Sequence, residues 1–158
     1  MIFKEIDAAN GGIENQLSKE ENQDFIKLSA DAWVENNPNR AFEFNFEKFF
    51  LLLGTGGIRI ILLKTPEQKI IGFQVWENVA DYIYGNDSIT YLRAIYIDKN
   101  YRDQYKLAKM YMQKGLQFAI DKDYKIVGSH VYDTDIATKK ILELVGFKSV
   151  GILYHYKG

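Results

Sequence analysis

The chain has 158 residues, enough for one ordinary domain around one hydrophobic core, and its 47% hydrophobic and 26% charged residues exclude a disordered chain. Twenty Lys and Arg against twenty-one Asp and Glu leave a net charge of −1, which argues against a protein that binds nucleic acid or an anionic membrane through bulk charge. Cysteine is absent, so disulfides, thiolate metal sites and a cysteine nucleophile are all removed together.

Residues 1–10 lack a basic n-region and an apolar h-region, and the longest apolar run, residues 49–53, is far too short to span a bilayer. The sequence therefore predicts a cytoplasmic protein. Eleven tyrosines and ten phenylalanines are read as a core and rim built from large rings.

In chain order, residues 2–6 (Ile-Phe-Lys-Glu-Ile) read as a short opening strand, followed by an Ala-Asn-Gly-Gly turn. From Gln23 the apolar spacing is helical, with Phe25, Leu28, Ala32 and Trp33 on one face, until Asn37-Pro38 stops it. A second helical face, Phe42, Phe46, Phe49, Phe50 and Leu53, ends at Gly54-Thr55-Gly56-Gly57. That glycine run lacks the lysine and spacing of a phosphate loop and reads as a turn. Residues 58–63 and 70–76 read as a hairpin around the polar turn 64–69, and residues 88–97 as the next strand. A long amphipathic helix is predicted over 104–120. Its polar stripe is Lys106, Lys109, Gln113 and Gln117, and Ala108, Gly115 and Ala119 allow close approach to a sheet. A strand over 125–132, a helix over 136–145 closed by Gly146, and a final strand or bent pair of strands over 147–156 complete the chain. Residues 1–158 thus predict one α/β domain with a mixed sheet, because hairpin-linked strands precede a βαβ unit.

Chemistry concentrates where the strand 88–97 meets the long helix, since a strand feeding a helix N-terminus through a short polar turn presents backbone N–H groups to an anion. The run Ile95-Tyr96-Ile97-Asp98-Lys99-Asn100-Tyr101-Arg102, the long helix, the strand 125–132, a helix and then Gly146-Phe147 together resemble the GNAT superfamily of acyl-CoA-dependent N-acetyltransferases. The resemblance covers roughly residues 57–156. It implies a single GNAT-like domain, a central mixed sheet with helices on both faces, and acetyl-CoA as cofactor. The pantetheine arm is expected to pair with Ile95, Tyr96 and Ile97. The diphosphate is expected at the turn and helix start, residues Arg102, Asp103, Gln104, Tyr105, Lys106, Leu107 and Ala108.

This sequence departs from the family pattern at definite points. Aligned on Arg102, Tyr105 and Leu107 stand where the family has glycines, and bulky residues there are expected to crowd the phosphate. Asp103 reads as an N-cap whose carboxylate would occupy the helix N–H groups and repel a diphosphate. Leu142 holds the position of the family's proton-donating tyrosine.

Three residues are candidates for proton transfer. Glu77, beyond Gln74-Val75-Trp76, is either a general base or a solvated strand-end charge. His130 is either a proton shuttle or a hydrogen-bonded strand residue. Tyr132 is either a substitute for the missing acid or a packing residue. With two histidines and no cysteine there is no metal-ligand spacing. Two functions follow. One is an N-acetyltransferase acting on an amine of a small molecule or a protein. The other is a GNAT-fold interaction or structural protein that has lost acetyl-CoA binding and assembles with itself or within a larger complex. Lys106, Lys109 and Lys114 on one helix read as a solvated face and not as a nucleic-acid surface.

Overall fold

The computed structural model describes residues 1–36, 45, 47, 51, 57–80, 88–120, 126–129 and 136–149. Five strands form one sheet in sequential order: β1 (Ile2–Asp7), β2 (Ile58–Lys64), β3 (Ile70–Ala80), β4 (Ser88–Ile97) and β5 (Ile126–Ser129). The first three pairings are antiparallel, and β5 adds to β4 in parallel. Three helices are described in full: α1 (Lys19–Asn36), α2 (Tyr105–Ile120) and α3 (Ile136–Leu144). The mixed sheet with helices on both faces is as the sequence predicts.

The alternation along β2 shows why. Ile58, Ile60 and Leu62 pack with Phe25, Leu28 and Ala32 of α1, whereas Ile61 and Leu63 pack with Leu107, Tyr111 and Met112 of α2. A strand covered on both faces is nearly continuous in apolar residues, as in Ile-Arg-Ile-Ile-Leu-Leu, where the partly exposed Arg59 near the strand's start is the exception. The second predicted helix and the final strand lie mostly outside the described residues. Of the former, Glu47 and Leu51 are described and helical, and Asn45 is described and not helical.

α1 begins four residues earlier than the periodicity suggests. Ser18 and Glu21 form a reciprocal capping box: the Glu21 N–H donates to Ser18 Oγ at 3.1 Å, and the Ser18 N–H donates to Glu21 Oε2 at 2.8 Å. The same carboxylate takes hydrogen bonds from Lys4 Nζ of β1 at 2.8 Å and Lys64 Nζ of β2 at 2.7 Å. One acid thus starts the helix and fastens it to two strands.

α2 lies close to the sheet because Gly115 faces Gln74. The fully buried Gln74 donates from Nε2 to the Tyr111 carbonyl at 2.7 Å and accepts from Trp76 Nε1 at 2.9 Å. The Tyr111 hydroxyl, also fully buried, donates to the Ile61 carbonyl at 2.5 Å. Every polar group of this inner contact therefore has a partner. α3 ends in a Schellman motif: Gly146 has φ 102°, its N–H donates to the Glu143 carbonyl at 3.1 Å, and the Phe147 N–H donates to the Leu142 carbonyl at 3.0 Å.

Two outcomes follow from these contacts. Burial alone would raise the Glu21 carboxyl, but Lys4, Lys64 and the Ser18 N–H outweigh it and bring it from 4.5 down to about 2. A depressed carboxylate contributes stability that is fully present above the unfolded value and is lost as pH falls through the folded one. Glu21→Gln is expected to cost about 2–3 kcal/mol at neutral pH. The gap from wild type should close between about pH 4.5 and 2, as read by urea denaturation across that range. Gly115→Ala, which in an exposed helix gains about 1 kcal/mol, is expected to destabilise by about 1–3 kcal/mol in thermal melts. The new Cβ would stand 1.7 Å from Gln74 Oε1, an atom its hydrogen bonds hold in place.

Candidate active site

The site is built beyond the last described pairing of β4 with β5. The pairing with β5 runs from Ile89↔Ile126 to Leu92↔Ser129, where Ser129 Oγ donates to the Leu92 carbonyl at 3.4 Å. On the other side of β4, the register with β3 slips between Val75↔Ala94 and Trp76↔Leu92, so Arg93 is an extra residue in the ladder. Such a bulge bends its strand and raises the local twist. Among the described residues, the chain from Ala94 to Ile97 has no strand partner on the β5 side, and Ile95, Tyr96 and Ile97 line a cleft.

A turn then delivers a helix N-terminus to the same place. The Asp98 N–H still donates to the Ile71 carbonyl of β3 at 2.8 Å. The Asp98 carboxylate accepts from the Asn100 N–H at 2.9 Å and from Asn100 Nδ2 at 2.8 Å, closing a 3-10 turn over Lys99–Tyr101. The Gln104 carbonyl receives the Leu107 N–H at 2.8 Å and the Ala108 N–H at 3.1 Å, so α2 starts immediately after it. The N–H groups of a first helical turn have no partner within the helix.

Between these elements lies a cleft of about 280 Å³. β4 supplies Ile95, Tyr96 and Ile97; α2 supplies Ala108 and Met112; α3 supplies Ala137, Thr138 and Ile141. Arg102 and Glu35, the latter in the last turn of α1, complete the lining. The walls are mostly apolar, and Ala108 and Ala137 keep the passage clear.

One end of the cleft carries a compact charged cluster. Arg102 Nε donates to the Ile97 carbonyl at 2.6 Å, Nη2 donates to Glu35 Oε2 at 2.7 Å, and Nη1 donates to Glu35 Oε1. The guanidinium carbon lies 4.6 Å from the centre of the Tyr96 ring, and the Tyr96 hydroxyl donates to Glu35 Oε2 at 3.1 Å. Arg102, against the opposing push of burial, holds the Glu35 carboxyl below its ordinary range. Burial, together with Glu35, pushes the Tyr96 hydroxyl up to about 12.

The structure brings half of the sequence-predicted cofactor residues together in the cleft. Ile95, Tyr96, Ile97, Arg102 and Ala108 all line the cleft. Asp103 is not the N-cap: the Gln104 carbonyl receives the first helical bonds, and the exposed Asp103 carboxylate takes no hydrogen bond from a described residue. The N–H groups that it was expected to occupy are left to other partners. Tyr105, 48% exposed, points away from the cleft, and Leu107 is buried against the sheet, so neither crowds it. Lys106 and Gln104 are exposed beside the helix start.

Glu77 stands across from Tyr91 near the far end of β3 and pairs with Arg93, outside the cleft. His130 and Tyr132 lie outside the described residues. Leu142 is buried between α3, α2 and the sheet.

Sequence reasoning missed Glu35, which is 67 positions from its partner Arg102. One signal for it existed. An acid in the last turn of a helix opposes the helix dipole, which implies a compensating cation nearby.

No family model matches the chain. Over 90 residues it is 34% identical to N-acetylaspartate synthetase of Xenopus tropicalis; the match covers 57% of this chain and 31% of that protein, so the chain spans under a third of the relative's length. Solved structures align over nearly the whole chain. An aminoglycoside acetyltransferase from an uncultured soil metagenomic sample superposes with a TM-score of 0.72 at 14% identity, covering 99% of this chain and 94% of that one. The aminoglycoside antibiotic 6'-N-acetyltransferase of Acinetobacter baumannii gives 0.69 at 14%, covering 99% and 98%. An aminoglycoside N-acetyltransferase in complex with CoA gives 0.70 at 14%, covering 99% and 93%. The mixed sheet, five-stranded among the described residues, with helices on both faces is the fold of these acetyltransferase structures.

Proposed function

We propose that this protein is an N-acetyltransferase that takes the acetyl group of acetyl-CoA and passes it to an amine of a small molecule or a protein. The whole chain, residues 1–158, acts as one cytoplasmic domain. The observation that carries the reading is the juxtaposition in one cleft of an open β4 edge and the start of α2. An extended amide-bearing arm matches the first, and an anion matches the second.

The residues present fit acetyl-CoA. The main chain of Ile95, Tyr96 and Ile97 would hold the pantetheine arm, with Ala108, Met112 and Ala137 giving it an apolar channel. The first N–H groups of α2, with Lys106 beside them, would hold the diphosphate. Acetyl-CoA supplies an acetyl thioester ready for attack by a neutral amine.

The amine must lose a proton, and the cleft's own carboxylate is badly suited to take it. Glu35 is held below the ordinary range by Arg102, which makes it an anchor and not a base. Glu77 is committed to Arg93 outside the cleft, so we assign no proton transfer to it. We therefore assign the shuttle to His130 or Tyr132, which follow β5 directly in sequence beyond Ser129, the last residue paired with the open strand. Leu142 cannot protonate the departing thiolate.

Calorimetry with acetyl-CoA, combined with thiol release on adding an amine panel, tests the function. Binding at micromolar concentration with amine-dependent thiol release is expected. Ala137→Phe, at an exposed position on the cleft wall, should weaken acetyl-CoA by at least about tenfold, or about 1.4 kcal/mol, while melting at the wild-type temperature. Absence of binding at millimolar acetyl-CoA overturns the proposal in favour of an assembly protein, whose oligomeric state light scattering would report. Leu142→Tyr, which installs the family's acid, is expected to overpack the core, lowering stability by about 1–3 kcal/mol without raising turnover.

A further inference from the structure

Arg102 has the charge and position to meet a phosphate at the start of α2, yet each of its three nitrogens already has a partner. Nε is held by the Ile97 carbonyl, Nη1 and Nη2 by the two oxygens of Glu35, and the guanidinium plane rests against Tyr96. A two-pronged guanidinium–carboxylate pair is a strong and directional arrangement. Here it is braced by a third group, since the Tyr96 hydroxyl donates to the same carboxylate. Glu35 reaches this position against the dipole of its own helix, whose last turn disfavours an acid. Both charged side chains remain partly open to solvent, at 35% and 44% exposure, so the pair can exchange partners.

We infer that Glu35 is a specificity-determining residue that sets how tightly this cleft takes the anionic end of its ligand, by competing with phosphate for Arg102. The inference rests on the reading that a diphosphate-bearing ligand docks at the start of α2. Phosphate either displaces Glu35 from the guanidinium or is held by the helix N–H groups and Lys106 alone. Both cases leave its affinity below what an unpaired Arg102 would give. A ligand that takes Arg102 frees Glu35 from the turn after β4 and leaves it held, among the described residues, by the Tyr96 hydroxyl alone.

Calorimetry with two separate probes, inorganic pyrophosphate and pantetheine, tests this on wild type, Glu35→Gln, Arg102→Gln and the double variant. Glu35→Gln should bind pyrophosphate about tenfold more tightly than wild type, with pantetheine changed by less than about twofold. In the Arg102→Gln background the same substitution should bring no gain. Asp31→Asn, one turn earlier on α1 and near enough to act on Tyr96, should change pyrophosphate affinity by less than about twofold, because it removes a like charge without touching Arg102. Circular dichroism on each variant checks the fold. Equal pyrophosphate affinity in wild type and Glu35→Gln, including no binding to either, overturns the inference, as does a gain that survives loss of Arg102. Acetyl transfer is scored separately by thiol release: a wild type with no transfer but an Arg102-dependent gain in Glu35→Gln would sink the acetyltransferase reading and leave this one standing.

Discussion

The site depends on one constraint: among the described residues, β4 has two strand neighbours for only part of its length. Up to Leu92 it is hydrogen-bonded to β3 on one side and to β5 on the other. At Arg93 the ladder with β3 takes in an extra residue, and among the described residues the pairing with β5 goes no further. Every element that walls the cleft converges there. α2 arrives through the Asp98 turn, α3 lies beside it, and the end of α1 reaches it from the opposite face of the sheet.

The surrounding packing keeps that place open. α2 cannot settle into the gap because Gln74, Trp76 and Tyr111 lock it at a fixed height over β2 and β3, with Gly115 providing the only clearance that the Gln74 amide tolerates. α1 is fastened at both ends by acids of opposite character. Glu21 sits among two ammonium groups and a backbone N–H and is held down at about 2, so it is ionised throughout the physiological range and serves the fold. Glu35, at the other end of a helix about 27 Å long, is largely open to solvent, and its partner belongs to the cleft. One is an element of stability and the other a contact available for exchange.

Much of this was legible in the sequence. The two-sided apolar run of β2, the bounds of β4, and the polar stripe and small residues of α2 follow directly from periodicity, because burial on one or two faces leaves a one-dimensional trace. Gly146 announced its left-handed turn, as no other residue adopts φ 102° at so little cost. The start of α1 was written in Ser18-Lys19-Glu20-Glu21 but masked by an apolar pattern that begins only at Phe25. Asp103 carried the residue type of a cap without the geometry, since the preceding 3-10 turn had already been closed by Asp98 and the helix could begin one residue later. The Arg102–Glu35 pair was beyond reach in detail, because it joins segments whose distance is decided by the packing of α1 across the sheet.

The departures from the family pattern at the head of α2 change meaning once side-chain directions are known. A glycine at such a position matters for what it leaves empty, and here the emptiness is preserved by other means. Successive helical positions diverge by about 100°, so Tyr105 turns outward to solvent while Leu107 turns inward to the sheet. The small residue that the cleft needs is Ala108, one position on. Size is therefore not what sets this mouth apart. Its difference is electrostatic: the guanidinium of Arg102 on the turn is neutralised by a carboxylate from another helix, which leaves the helix dipole, Lys99 and the exposed Lys106 as the positive charge near the mouth. On the proposed reading, the affinity of the cleft for a phosphorylated ligand is set by a residue distant in sequence, at the end of α1, as well as by the loop in which such affinity is ordinarily sought.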